Sequence, residues 1–241
     1  MPTAIPLCRT GLGRHSAFGY SCSRCLSCCR HKTIQLNPYE IARLAGSLGI
    51  STTGFIDRFT TVGGTALRSK EDGTCVFLDA RGCSVHADRP LVCRLYPLVR
   101  HVGLPGAERF SQVEPEEGCR GIFHGNGDVE RYLEEQGAFP FMEAADRYLE
   151  LLRHLLESLM EPVPGTPGSE AVLDAVRAVS DGRSDGFDLS WMDMDRALAR
   201  YREKNGVPLP VDAQTRMRMH IEAVRSWAAQ HHEGDAHGFP R

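Results

Sequence analysis

The sequence predicts a mainly α protein with a small antiparallel β-hairpin, a cysteine-rich metal-binding half packed on a helical half. Three observations carry this reading. All nine cysteines of the 241-residue chain fall at or before Cys119. Residues 75–85 have the texture of a hairpin. Beyond Gly127 the apolar residues recur at helical spacing. The cysteine-cluster part is set at 1–125 and the α-helical region at 126–241, the two reading equally as one continuous domain.

The elements follow in order. Asn37-Pro38-Tyr39-Glu40 opens a helix: Asn37 caps, Pro38 suits the first helical position, and Glu40 stands at the capping-box position. Ile41, Leu44, Ala45 and Leu48 continue on one face, and Gly49 stops it. Ser51 is placed to cap a second short helix carrying Phe55, Ile56 and Phe59. In "TCVFLDARGCSVH", residues 75–78 and 83–85 read as strands about a turn at 79–82. Further strands are expected near 98–102 and 109–113. Phe141, Ala145, Tyr148, Leu152, Leu155 and Leu159 alternate steps of four and three, which marks one apolar helix face. Residues 162–168, "PVPGTPG", read as a linker. A short helix is expected to carry Val172, Val176 and Val179. Ser190 with Asp193 resembles a capping box ahead of a stripe of Trp191, Met194, Leu198 and Tyr201. A last helix carries Met217, Ile221, Val224 and Ala228, and the tail from about His231 is expected to be disordered.

Composition excludes several classes. The hydrophobic fraction of 41% is enough for a core without disulfide staples. A formal net charge of -3 gives no general attraction to nucleic acid or membrane. No apolar run reaches the roughly 18–20 residues of a membrane span, and the start lacks the apolar region of a secretory signal. The expected location is therefore the cytoplasm, where thiols stay reduced. Nine is also an odd number, ill suited to a closed disulfide framework.

The chemistry lies in "YSCSRCLSCCRH". Cys22, Cys25, Cys28 and Cys29 form C-x2-C-x2-C-C. Thiolates are soft ligands for zinc, iron–sulfur clusters and copper(I). Two-residue spacing lets a turning backbone aim successive sulfurs at one centre. The triplet is that of bacterial ferredoxins, whose fourth cysteine comes three residues later; here Cys29 follows at once. Adjacent residues seldom direct both side chains at one metal atom, so Cys29 is expected to serve another corner of a cluster or a second centre. Cys75, Cys83, Cys93 and Cys119 complete a set of eight candidate ligands. Eight fits two four-cysteine sites, one cubane with a zinc, or one cluster with spare thiols. Cys8 lies outside the motif and is expected to be dispensable. Arg24, Arg30, Lys32, Arg89 and Arg94 sit near proposed ligands, where positive charge would stabilise an anionic cluster. For His31, His86, His101 and His124 a surface or hydrogen-bonding role is the default.

"CSRCLSCC" followed by "CVFL…GCSVHADRPLVCRLYPL" resembles the YkgJ-type cysteine-cluster proteins, a zinc- or iron-chelating family. The residues that match are Cys22, Cys25, Cys28, Cys29, Cys75, Cys83, Arg89, Pro90, Cys93, Arg94 and Pro97, with Cys119 placed by order alone. The resemblance covers about residues 21–121 and implies metal or cluster binding. A related group, the flagellin lysine N-methylases, shares the cysteine motif and uses S-adenosylmethionine. However, neither "GLGRHSAFG" nor "VGGTAL" has the strand-to-helix setting of a dinucleotide fingerprint.

The expected function is that of an iron–sulfur protein, with a 4Fe-4S cluster and a redox or oxidoreductase role, served by a protein or small-molecule redox partner. The alternatives are a structural zinc module for protein interaction and a protein lysine methylase. No Ser/His/Asp set, P-loop or zinc-protease helix is present, so no catalytic residue is assigned.

Overall fold

The structure is a computed structural model, and it describes residues 7–61, 64–103, 107–159 and 189–231. The predicted linker at 162–168 and the helix around Val172 to Val179 lie outside the described residues. The chain forms two compact units, each made of two stretches: Met1–Lys32 with Ser69–Pro140, and Thr33–Arg68 with Phe141–Arg241. Mainly α architecture with small antiparallel sheets is what is found.

The first unit holds most of the strands. β1 (Leu7–Leu12), β7 (Leu98–Val102) and β8 (Glu108–Val113) form an antiparallel sheet in the order β1-β8-β7. The register of β7 on β8 runs from Leu98 opposite Gln112 to Val102 opposite Glu108. β2 (Tyr20–Ser21) pairs with β9 (Ile122–Phe123), and β5 (Leu78–Asp79) with β6 (Gly82–Cys83). Two helices complete the unit, α3 (Leu91–Leu95) and α4 (Val129–Glu135). Phe18, Leu98, Phe110, Val129 and Leu133 are buried in its core. Each such side chain contributes about 1.5–3 kcal/mol by leaving water. Glu108 is clamped between Arg14 and Arg100, at 2.6 Å from each, and a second arm of Arg14 reaches Glu130 at 2.7 Å.

The second unit is helical. It contains α1 (Pro38–Leu48), α2 (Thr52–Phe59), α5 (Phe139–Leu159) from Phe141 onward, α6 (Met194–Asn205) and α7 (Ala213–His231). One two-stranded ribbon, β3 (Thr60–Thr61) with β4 (Ala66–Leu67), accompanies them. The Asn37–Glu40 capping box forms in both directions, and Gly49 ends α1 at φ 67°. Ser51 caps α2 through the Gly54 amide at 3.1 Å. Tyr39, Ile41, Leu44, Phe55, Phe141, Leu151, Met194, Leu198 and Met217 form the core. α1 packs on α2 and α7, and α6 on α2 and α7.

Three expectations are corrected here. The protein has several small antiparallel sheets rather than one hairpin. The hairpin itself is tighter: Asp79 pairs with Gly82, leaving only Ala80 and Arg81 in the turn. Asp79 accepts the Arg81 amide at 2.7 Å, and Gly82 takes φ 113°, a value a side chain resists. Finally, Asp193 rather than Ser190 caps α6, its carboxylate taking the Arg196 amide at 3.3 Å. Ser190 instead opens a single 3-10 turn through Met192.

Candidate metal centre

All eight candidate ligands belong to the first unit. The local fold explains how the motif bends. Arg24 and Leu26 flank Cys25 with φ of 53° and 68°, and His31 follows at 53°. Left-handed backbone is costly for side chains with a Cβ and collects at ligand clamps. These two residues turn the chain on either side of Cys25. Leu26 then leads into a 3-10 turn over Ser27–Cys29, closed by the Cys29 amide on the Leu26 carbonyl at 3.0 Å.

The distant cysteines are brought in by pairing. The Cys75 amide donates to the Cys29 carbonyl at 3.0 Å, beside a bridge between Arg30 and Thr74. The β5–β6 hairpin sets Leu78 opposite Cys83, and the Leu78 amide returns to Cys75 at 2.9 Å. Ser21 pairs with Ile122, so Cys22 leaves β2 where the chain from Cys119 enters β9. Cys93 stands on α3, with its amide on the Pro90 carbonyl at 3.0 Å.

One pattern recurs at five of these cysteines. Cys22 accepts the amide of Arg24 at 3.4 Å and Cys119 that of Gly121 at 3.4 Å. Cys25, Cys75 and Cys83 accept the amides of Ser27, Phe77 and Val85. In every case the donor lies two residues on. An N–H aimed at sulfur favours the thiolate, the form that binds metal. Cys25 also receives the Arg120 amide, the largest influence on it, and its thiol is pushed down to about 6.

Cys28 and Cys29 are hydrogen-bonded to each other. The donated bond lowers Cys29 to about 7, and Cys28 is pushed up by that bond, by burial and by the charges of Cys29, Cys22 and Cys93. Burial raises Cys75 and Cys83. The adjacent pair thus brings its two sulfurs within reach of each other. Through it every other candidate is linked: Cys28 feels Cys22 and Cys93, Cys29 feels Cys25, and Cys75 and Cys83 feel Cys29. Cys119 is hydrogen-bonded to Cys25. Cys8 is exposed in β1.

The surroundings contain residues that sequence reasoning missed. Tyr20 Oη lies 3.2 Å from Cys119 Sγ, and its ring covers Gly121, where any Cβ would overlap it. Tyr96 is pushed up to about 12, first by burial, with Cys119 and Cys28 adding to the effect. Tyr132 is raised by burial and by Cys22 and Cys28. Lys70 acts on Cys75 and bonds the Leu78 carbonyl. The only hint in the sequence was position: Tyr20 stands two residues before Cys22 and Tyr96 three after Cys93.

Of the five basic residues named from sequence, Arg30 acts on Cys29 and Arg89 on Cys83. Lys32 pairs with Glu116, Arg94 is spent on backbone carbonyls, and Arg24 acts on His86. His124 meets Ser21 at 3.2 Å, His101 meets Ser111 at 2.9 Å, and His86 approaches Arg89. The Gly-rich start runs through β1 toward β2 and opens no helix.

Among the described residues, no three His, Cys, Asp or Glu side chains are gathered as a finished ligand set for one ion. The donor chemistry nevertheless fits a soft metal: the linked set is all sulfur, two thiols are lowered to about 7 or below, and five carry amide donors.

Small strands and turns that present linked thiols give the first unit the character of a cysteine-cluster protein. Residues 21–120 match the family model CxxCxxCC, described as "Putative zinc- or iron-chelating domain". The uncharacterized protein MJ0661 of Methanocaldococcus jannaschii is 30% identical over 138 residues, 56% of this chain and 72% of that protein. The chain belongs to the CxxCxxCC family, as its motif implied, and the family description supports metal binding. No solved structure matches it. Among the described residues no helix is long and apolar enough to cross a membrane.

Proposed function

We propose that this chain is an iron–sulfur protein with a redox role, its cluster held by thiolates drawn from Cys22, Cys25, Cys28, Cys29, Cys75, Cys83, Cys93 and Cys119. The observation that carries the reading is the supply of hydrogen bonds to sulfur: an amide two residues on at five cysteines, and the Tyr20 hydroxyl at Cys119. Hydrogen bonds to sulfur are among the levers by which a protein sets a cluster's reduction potential. Zinc has no redox chemistry to tune. The C-x2-C-x2-C triplet supports the same choice. A cluster would supply electron storage; the residues around it would hold the thiolates ready and limit water. The partner would be a redox protein or small molecule.

The test is anaerobic purification with iron, zinc and acid-labile sulfide quantified together. Brown protein with iron and sulfide in comparable amounts is expected. Colourless protein with tightly held zinc and no sulfide would replace this reading with the structural zinc module.

A further inference from the structure

We infer that the outer face of the β2–β9 ribbon is a docking surface for an acidic redox protein, with Ile122 as its apolar contact and Arg24 and Arg120 as its charged ones. This rests on the redox reading above for the kind of partner, and adds where that partner binds and the sign of its charge.

The ribbon has two unlike faces. From Cys119 to His124 exposure alternates: Cys119, Gly121 and Phe123 are half-buried, while Arg120, Ile122 and His124 are exposed. That is the period of two expected of a strand with one face turned inward. The inward row meets Tyr20, whose ring lies 5.0 Å from that of Phe123 and whose hydroxyl lies 3.2 Å from Cys119 Sγ. The outward row sets an isoleucine, 66% exposed, between a guanidinium and an imidazole. Ser21 stands opposite Ile122 in antiparallel pairing. Arg24, three residues past Ser21, therefore leaves the ribbon at the same end as Arg120, two before Ile122.

This face is fixed in shape. The His124 amide donates to the Gly19 carbonyl at 3.0 Å, and its ring Nε2 lies 3.2 Å from Ser21 Oγ. The ring rests against Gly19, where any Cβ would overlap it. An apolar contact held ready in this way loses little freedom on binding and gains by being covered.

Charge narrows what covers it. No carboxylate occurs from Ala17 to Arg30 or from Gly118 to Gly127. Arg24 and Arg120 are exposed, and neither has a carboxylate partner among the described residues. Such a rim attracts a surface rich in carboxylates and repels a cationic one. The chain carries a formal net charge of -3, so the attraction belongs to this face and not to the whole molecule. Position supplies the redox part. A protein seated on Ile122 is separated from the Cys119 row by a single two-stranded layer, and electron transfer weakens steeply with distance. Electron-transfer encounters are also small and transient, which one apolar side chain with a charged rim suits.

The experiment follows the backbone amides and isoleucine methyls of the purified full chain by nuclear magnetic resonance. Two redox-inert paramagnetic probes of opposite charge come first, hexacyanochromate(III) and tris(ethylenediamine)chromium(III). The anion should broaden Ser21, Ile122 and His124 ahead of the rest, and the cation should not. Flavodoxin, a small acidic flavoprotein, should then shift the same resonances, and basic cytochrome c should leave them in place. Arg24→Gln with Arg120→Gln should remove the anion's broadening and weaken flavodoxin binding about ten-fold at low salt. Ile122→Ser should weaken flavodoxin binding about ten-fold and leave the anion's broadening as it was. All three residues are exposed, so these variants keep the fold. Broadening centred elsewhere, flavodoxin that shifts another surface or none, or binding that these substitutions do not move overturns the docking face. Iron and sulfide decide the redox reading separately. A zinc protein whose ribbon still binds flavodoxin keeps an acidic docking face and removes that reading, whereas a brown protein with an undisturbed ribbon removes the face alone.

Discussion

Arg94 donates from Nη1 to the carbonyl oxygen of Gln136 at 2.8 Å, tying the helix that carries Cys93 to the end of α4. Its Nε reaches the Arg89 carbonyl at 2.9 Å and its Nη2 that of Ala87 at 2.5 Å, with the residue only 6% exposed. A planar guanidinium meets three carbonyls at once; an ammonium on a flexible stem does not. Arg94→Lys should therefore be nearly as damaging as Arg94→Ala, each lowering stability on the order of 3 kcal/mol. Thermal unfolding followed by far-UV circular dichroism is the measurement. A lysine variant within about 1 kcal/mol of wild type would refute the three-carbonyl role.

In the helical unit, His220 Nε2 stands 2.9 Å from the Trp191 carbonyl and Nδ1 2.9 Å from Tyr148 Oη. A carbonyl only accepts, so Nε2 carries the proton and Nδ1 accepts from the tyrosine. Burial, the dominant cause, pushes the imidazole down to about 4. The unfolded chain, titrating near 6.5, then binds more protons than the folded one between those values. Stability is full above about pH 6.5 and falls as pH drops toward 4, by about 3 kcal/mol in all. Both tryptophans, Trp191 and Trp227, lie in this unit, so indole fluorescence in urea reports on it. His220→Gln should flatten the slope between pH 7 and 5; an unchanged slope in that variant would contradict the assignment.

Local rules made part of this fold legible. The α1 cap was readable because Asn37, Pro38, Glu40 and Gly49 each act within a few residues. β7 and β8 were readable from their own composition. β1 was not, because its partner lies about 100 residues away and five of its six residues are exposed, which leaves no alternation to read. The candidate site divides similarly. Thiol spacing named the sulfurs, but Tyr20, Tyr96, Tyr132 and Lys70 reach them only through tertiary pairing. Arg94 was named for its charge near Cys93, whereas its role is to satisfy backbone carbonyls. No spacing rule encodes that.

Asp193 ties α6 to the start of α2. Its carboxylate accepts the hydroxyls of Thr52 and Thr53, both at 2.6 Å, besides capping its own helix, and it is 5% exposed. Asp193→Ala removes a cap worth about 1 kcal/mol and strands a buried hydroxyl, so a loss of about 2–3 kcal/mol is expected. Asp193→Asn retains an acceptor and should lose less. Urea midpoints from tryptophan fluorescence rank the two; equal losses would mean that the one acceptor asparagine keeps does not replace the carboxylate.

Tyr20→Phe separates holding a metal from tuning it. The hydroxyl meets Cys119 Sγ at 3.2 Å, while the ring packs against Tyr96 and Phe123, at 6.2 and 5.0 Å between centroids. Phenylalanine preserves the rings and removes only the hydroxyl. Metal content should stay at the wild-type value, because the Gly121 amide still serves that sulfur at 3.4 Å. If the centre is a cluster, losing a hydrogen bond to sulfur leaves its reduced, more negative form less stabilised, so the midpoint potential should move to more negative values. Redox titration monitored by electron paramagnetic resonance reads the shift, beside iron analysis of the same sample. An unchanged potential at full metal content would remove Tyr20 from the tuning role, and so would a positive shift, since a cluster-bound thiolate can only accept the hydroxyl's hydrogen bond.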